Sequence, residues 1–282
     1  MAASRPSTAD KCRAFRKLHE SGCFVIPNPW NVGSARYLQG LGFKAIASTS
    51  SGHAHSLGYP DGAQSLDAVL AHYRELADAT DIPLNADFED GFGKTPDEVA
   101  ANVTQCIATG VSGLSIEDSP QGGPPRLYDF DTALARVKTA RAAIDKAGGD
   151  VVFTARSEGF IRGAPDIDET IRRIKAFVAA GADCIYTPGI KTREHIEATV
   201  KAAAPKAVNF LNSGAFGFTV SDLAGMGVRR ISVGGSLARV AMHAFIKTAT
   251  EIAKDGKFDG FADLISNAEL NKFFDEDRKH LS

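Results

Sequence analysis

A parallel (β/α)8 barrel, of the α/β class, is predicted by three features of this 282-residue sequence. Eight apolar runs of strand length recur along it, rich in Val, Ile, Phe and Ala. Between them lie helical patterns that open on capping residues. The first strand-to-helix turn reads Asn28-Pro29-Trp30-Asn31-Val32-Gly33, without the glycine-rich fingerprint that an open, doubly wound sheet usually carries there. Strands and helices in strict alternation are the order of a barrel, and barrels reach this length as single domains.

The elements follow in order. A helix is expected over 8–21, with Phe15 and Leu18 on one face and Gly22 ending it. Strands are expected at 23–27, 44–49, 82–86, 113–116, 151–155, 184–187, 207–211 and 230–233. Ser65, Thr95, Asp129, Asp166, Thr192 and Thr219 stand where helices should be capped. Gly110, Gly148, Gly181 and Gly227 stand where helices should stop. A long helix is expected over about 237–254. The stretch beyond it holds Phe261, Leu264, Ile265, Phe273 and Phe274, too apolar to hang in water, and should pack on the barrel or on a neighbouring subunit. One domain over 1–282 is therefore expected, with an N-terminal helix (1–22), the barrel (23–256) and a C-terminal helical extension (257–282).

Composition narrows the function classes. Apolar residues make up 44% and charged residues 23%, as in ordinary soluble globular proteins. The net charge of −2 is spread along the chain, which argues against a nucleic-acid partner or an anionic membrane surface. The opening Met-Ala-Ala-Ser-Arg-Pro-Ser lacks the apolar core of a signal peptide, and no run approaches the length of a membrane span. Cys12, Cys23, Cys106 and Cys184 are scattered and form no ligand-like pair. A soluble protein with buried thiols in a reducing cytoplasm is expected.

Chemistry in such a barrel gathers at the C-terminal ends of the strands. The third strand runs into Asp87-Phe88-Glu89-Asp90-Gly91-Phe92-Gly93, and strand alternation would send Asp87 and Glu89 to the same side with Phe88 opposite. The other ends supply Asn28 and Trp30, Ser48 to His53 leading on to Asp61, Glu117 and Asp118, Arg156 and Glu158, Tyr186, Asn212 and Ser213, and Gly234 to Ser236. Asp61, Asp87, Glu89 and Glu117 thus share one mouth with Arg156. Carboxylates gathered without a cation resist ionising together, so the cluster argues for a divalent ion. Mg²⁺ suits it, because that ion keeps several waters and needs one or two direct protein ligands. His53 and His55 read as acid/base groups or as polar surface, and Gly234-Gly235-Ser236 as a phosphate cradle or a tight turn.

Several of these motifs resemble the isocitrate lyase/phosphoenolpyruvate mutase superfamily. Asp87-Phe-Glu89-Asp-Gly-Phe-Gly is similar to its Asp-x-Asp/Glu-x-Gly-Tyr/Phe-Gly signature. Thr49-Ser-Ser-Gly-His-Ala-His-Ser-Leu-Gly-Tyr-Pro-Asp61, Leu114-Ser-Ile-Glu117-Asp118, Ala155-Arg156-Ser-Glu158-Gly-Phe-Ile and Gly227-Val-Arg-Arg-Ile-Ser-Val-Gly resemble its other motifs. The likeness implies a phosphoenolpyruvate mutase-like barrel that uses Mg²⁺, with Mn²⁺ as a substitute. It implies Asp87 as the direct metal ligand, with Asp61, Glu89 and Glu117 holding metal-bound waters. Ser50, Ser51 and Gly52 would take the substrate carboxylate on their backbone N–H groups. Arg156 would bind a substrate oxygen, Asn212 the distal part, and Trp30 would line the pocket. Arg156, Glu117 and Asp61 are the implied catalytic set. Family members also exchange the last barrel helix between subunits, so a homodimer or homotetramer is expected.

One loop departs from the family. Its lyases carry Lys-Lys/Arg-Cys-Gly-His after the fourth strand, with the cysteine as acid/base, and its phosphonate enzymes place Lys and Asn there. Here the segment reads Ser119-Pro-Gln-Gly-Gly-Pro-Pro-Arg126-Leu-Tyr128. Its Gly/Pro content suits a segment that closes over the site or one that stays a rim. The expected function is Mg²⁺-dependent cleavage or decarboxylation of a small 2-oxo or 2-hydroxy carboxylic acid through a pyruvate-like enolate. A phosphonopyruvate mutase or hydrolase is the enzymatic rival, and a non-catalytic 2-oxo acid binder the rival from another class.

Overall fold

The computed structural model describes residues 5–122, 124 and 126–279. Positions 1–4 of the expected N-terminal region, 123 and 125 of the departing loop, and 280–282 of the expected extension lie outside the described residues.

All eight expected strands form. They are β1 (Phe24–Ile26), β2 (Ile46–Ala47), β3 (Leu84–Asp87), β4 (Gly113–Glu117), β5 (Val152–Arg156), β6 (Cys184–Tyr186), β7 (Ala207–Leu211) and β8 (Arg230–Ser232). Every pairing is parallel, in the order β1-β8-β7-β6-β5-β4-β3-β2. Between the two ends of that ladder the Ala47 N–H donates to the Pro27 carbonyl at 3.0 Å, so the sheet is a nearly closed barrel. This is the (β/α)8 architecture that the alternation predicts.

The N-terminal helix α1 (Thr8–Leu18) closes the bottom of the barrel. Its Phe15 is fully buried with Ile26, Ala47 and Val152. A side chain at Gly113 would stand 2.6 Å from the Phe15 ring, so the first position of β4 accepts only glycine beneath that plug. Above it the interior is polar. Arg230 donates to Asn209 Oδ1 at 2.9 Å and to Thr154 Oγ1 at 3.1 Å, and Asn209 donates to Ser232 Oγ at 2.9 Å.

Around the barrel run α2 (Val32–Gly40), α3 (Ser50–Ser56), α4 (Leu66–Ala79), α5 (Pro96–Ile107), α6 (Phe130–Lys146), α7 (Ile167–Ala179), α8 (Arg193–Ala203) and α9 (Val220–Gly225). Each cap read from the sequence is in place: Ser65, Thr95, Asp129, Asp166, Thr192 and Thr219 all accept from the third backbone N–H of their helix. The second strand is shorter than expected. The Ser48 hydroxyl oxygen accepts from the Asp87 N–H at 2.8 Å, and Thr49, expected to end the strand, instead caps α3.

The last two helices differ in how they pack. In α11 (Asn267–Lys279), Phe273 meets Tyr37 of α2 with ring centroids 4.6 Å apart, in space that a side chain at Gly40 would fill. Asp277 of the same helix pairs with Arg36. The expected packing of the tail on the barrel is met by Phe273 and Phe274 of α11, whereas Phe261, Leu264 and Ile265 stay exposed. Helix α10 (Ser236–Asp255) buries no residue and exposes Val240, Phe245 and Ile246. No described helix is long and apolar enough to cross a membrane.

A buried histidine, His72, and a half-buried one, His19, give the fold a pH signature. His72 of α4 stacks on His53 of α3 with centroids 3.5 Å apart, and neither His72 ring nitrogen has a protein partner. Burial, then the neighbouring His53, lowers the His72 pKa from 6.5 to about 3. Burial and the Arg230 charge do the same to His19, also to about 3. In the unfolded chain both titrate near 6.5, so below that pH the unfolded state binds more protons. The share of stability that these two neutral histidines contribute should therefore be full above about pH 6.5 and be lost as the pH drops toward 3. Replacing His72 by Phe is expected to shrink the loss of urea midpoint between about pH 7 and about pH 5; equal losses in both proteins would assign that slope elsewhere.

Candidate active site

At the C-terminal ends of the strands, one guanidinium organises the acids. Arg156 is the last residue of β5 and is only 9% exposed. Its Nη1 donates to Asp87 Oδ1 at 2.6 Å and also pairs with Glu117 Oε1 at 3.0 Å. Its Nε donates to Glu158 Oε1 at 2.8 Å, and the Tyr186 ring lies 4.6 Å beneath it. Burial works against the Arg156 charge, but Glu117, Glu158 and Asp87 override it and hold the proton more firmly than usual. Nη2 makes no hydrogen bond or ion pair among the described residues, which leaves one edge of the guanidinium for a ligand.

Each strand end positions its acid by backbone geometry. Asp87 ends β3, its N–H fixed by Ser48 and its carbonyl accepting from the buried Tyr73 hydroxyl. Glu117 ends β4, and its Oε2 accepts from Gln121 Nε2 at 2.8 Å and Arg162 Nη2 at 3.0 Å. Burial pushes the Glu117 carboxyl upward against the pull of Arg156. Asp61 stands at the rim, its carboxyl raised by the protein around it and by the Asp87 charge. Glu158 is anchored from behind: its N–H donates to Asp118 Oδ1 at 2.8 Å, and Arg173 holds the other oxygen of Asp118 at 3.0 Å.

Glu89 reaches the cluster by a different route from the one strand alternation suggests. β3 ends at Asp87, and Glu89 sits in the left-handed region with φ 45°, so alternation stops applying two residues too early. Its carboxyl is buried behind the mouth, and neither oxygen has a hydrogen-bond partner. Burial, then the charges of Asp87, Glu117 and Asp61, lifts it to about 9. The following turn is held by Arg136, which donates to the carbonyls of Asp90 at 2.6 Å and Gly93 at 2.9 Å. A side chain at Gly93 would stand 2.6 Å from the Val99 nitrogen, so glycine there lets α5 begin directly after the acids.

A cavity of about 360 Å³ opens over this cluster, lined by Asp61, Asp87, Glu117, Arg156 and Glu158, with Ser50 and Ser51 on one wall. Other expected ligand contacts lie elsewhere. Trp30, just before α2, and the buried Gly52 of α3 line a separate groove between α3 and α10. The Ser50 N–H is donated to Asp87 Oδ2 at 3.0 Å, and that of Gly52 to its capping Thr49 at 3.3 Å. Asn212 is not among the lining residues; its neighbours Leu211 and Ser213 are, and its own side-chain oxygen is buried without a partner. His55 faces the groove, and His53 the stack with His72, so neither borders the mouth. In the departing loop, Tyr128 is tied to Asp90 at 2.7 Å and lies against Arg136, which makes it an anchor of the segment.

Two contributors escaped the sequence reading. Gln121 lies in the departing loop, and Arg162 four residues beyond Glu158; both converge on Glu117. The signal for Gln121 was its place in the segment after β4. For Arg162, no spacing or motif pointed inward.

The donor set fits a hard divalent cation. Asp61, Asp87, Glu117 and Glu158 line the mouth around Arg156 and Arg162, and Glu89 is buried behind them, a local gathering of carboxyl groups that a divalent charge would help to balance. The two unpartnered oxygens of Glu89 are ready acceptors for water bound to such an ion. Among the described residues no three acids, histidines or cysteines already close on a single point, because Arg156 Nη1 stands between Asp87 and Glu117.

Comparison with known proteins places this geometry. The family model described as phosphoenolpyruvate phosphomutase matches residues 15–253. The solved structure of a candidate lyase/mutase from Burkholderia cenocepacia J2315 superposes with a TM-score of 0.90 at 39% identity, covering 95% of this chain and 96% of its own. A phosphonopyruvate hydrolase solved with oxalate and Mg²⁺ gives 0.83 at 28% identity, covering 96% of this chain and 97% of its own. An oxaloacetate decarboxylase from Paraburkholderia xenovorans is 30% identical over 217 residues, 71% of each chain. With a matching family model over most of its length and the acid-and-arginine mouth in place, the chain belongs to the phosphoenolpyruvate phosphomutase family, within the isocitrate lyase/phosphoenolpyruvate mutase superfamily.

Proposed function

We propose that the protein is a Mg²⁺-dependent lyase that cleaves or decarboxylates a small 2-oxo or 2-hydroxy carboxylic acid. The observation that carries this reading is the placement of Arg156 between Asp87 and Glu117, at the base of a cavity where Asp61 and Glu158 also gather around it. Asp87 would hold the ion directly, with Asp61, Glu89 and Glu117 around it. Bound there, Mg²⁺ supplies a Lewis acid for the substrate's carboxylate and adjacent oxygen.

The chain's own residues do the rest. Arg156 cannot lose its proton, and the carboxylates on Nη1 and Nε fix the direction in which Nη2 points. A fixed cation beside the oxygen that gains negative charge lowers the barrier to breaking the neighbouring bond. Ser50 and Ser51 border the place where a carboxylate would lie. Tyr186 supports Arg156 from below, its hydroxyl kept protonated by burial, with a pKa of about 12. Gln121 places an amide over Glu117 in the loop where lyases of the superfamily carry their cysteine. The oxaloacetate decarboxylase among the named relatives is consistent with this class, while the phosphonopyruvate hydrolase represents the rival phosphonate reading.

Calorimetric titration of oxalate in the presence of Mg²⁺ tests the reading. Wild type should bind only when the metal is present, and Asp87→Ala should not bind; indifference of the wild type to both would overturn it. Arg156→Lys keeps a charge, but its three N–H donors on one nitrogen cannot serve three carboxylates and a substrate at once. It should lower kcat on the active acid by about 10²–10³-fold, and a loss confined to KM would remove Arg156 from the reacting end.

We also propose that the chain assembles as a homodimer or homotetramer. The support is the apolar face of α10, with Phe245 66% exposed and Met242 beside it in the groove against Trp30 and Gly52. Light scattering at micromolar concentration should return a multiple of the 29.8 kDa chain mass; the mass of one chain would refute assembly.

A further inference from the structure

The two arginines at the base of the mouth are in different states of engagement. Arg156 is locked on both Nη1 and Nε by three carboxylates and is almost fully buried. Arg162 lines the same cavity with its side chain 28% exposed. Its Nη2 reaches Glu117 Oε2 at 3.0 Å, while its Nε lies 4.0 Å from Glu158 and is buried without a hydrogen-bond partner. Most of the donors on that planar fork are thus uncommitted. The Glu117 oxygen it touches is shared with Gln121, so the contact is the more easily given up.

A guanidinium with spare N–H groups, half desolvated and facing a cavity, recognises a carboxylate or phosphonate through paired hydrogen bonds. The other cations of the cavity are less suited. Arg230 is 3% exposed and spends its donors on Asn209, Thr154, Asn85 and His19 inside the barrel. Arg239 stands exposed at the start of α10, where water and salt weaken its attraction. Arg162 lies next to Ile161, which together with Leu211 and Ser213 borders the cavity away from Asp87. It therefore stands where the part of a substrate remote from the reacting oxygens would lie.

We infer that Arg162 is the specificity-determining residue of this site: it binds a second anionic group, at the distal end of the 2-oxo or 2-hydroxy acid. The preferred substrate is then a dianion of about four carbons. The inference rests on the proposed function, since the proximal end is assigned there.

The test compares three probes in the presence of Mg²⁺, with oxalate as the proximal group alone. Oxaloacetate adds a distal carboxylate, and 2-oxobutyrate has the same chain length with a methyl in its place. Affinities are read by displacement of oxalate, or as KM where an acid is turned over. Wild type should favour oxaloacetate over 2-oxobutyrate by at least about tenfold, the loss expected of a charge-assisted pair. Arg162→Gln should reduce that preference at least about tenfold, with Arg162→Lys intermediate, while oxalate affinity stays within about threefold. Retained oxalate binding also shows that the variants are folded. An unchanged preference in Arg162→Gln, or an equal loss for all three probes, overturns the inference and leaves the proposed function standing. A wild type that ignores oxalate and Mg²⁺ overturns both.

Discussion

Charge balance around one buried guanidinium governs the catalytic end of this barrel. Arg156 joins the ends of β3 and β4 to the segment after β5, through Asp87, Glu117 and Glu158. Removing Arg156 would leave the three carboxylates without their shared cation, which is among the most destabilising changes a protein interior can suffer. The strands converge on it because their parallel register sets Glu117 directly opposite Arg156. Stability and reactivity thus draw on the same contacts, and the carboxyl groups gathered there are what make room for a metal.

A second layer holds the first. Asp118 takes the Glu158 N–H and is itself held by Arg173, while Arg136 secures the turn after Glu89 and the Tyr128 anchor. Burial raises Asp118 to about 6, against the backbone N–H and Arg173 that favour its charge. Rigid support of this kind lets a site keep a strained residue such as Glu89 in the left-handed region. The mouth is therefore held together by contacts among its own residues, with Gln121 and Arg162 both converging on Glu117.

Much of this was legible in the residues, because local rules and tertiary outcome agree there. The caps at Ser65, Thr95 and Asp166 are one-residue signals with one physical meaning, and all formed. Asp87, Glu117 and Arg156 end apolar runs, and the end of a barrel strand points to the mouth. Trp30 and Gly52 show where that logic fails. They follow strand ends but belong to helical approaches, and the face that a short helix such as α3 presents depends on what it packs against.

By itself the sequence determined the alternating order of elements, hence the barrel, and the acids at its strand ends, because periodicity, caps and strand termini are properties of neighbouring residues. Tertiary structure alone decided that Arg156 sits between Asp87 and Glu117, that Glu89 turns behind them, and that Gln121 and Arg162 meet on Glu117. Those contacts join residues from different strands and loops. Their distances follow from barrel register and loop path, which no local pattern encodes.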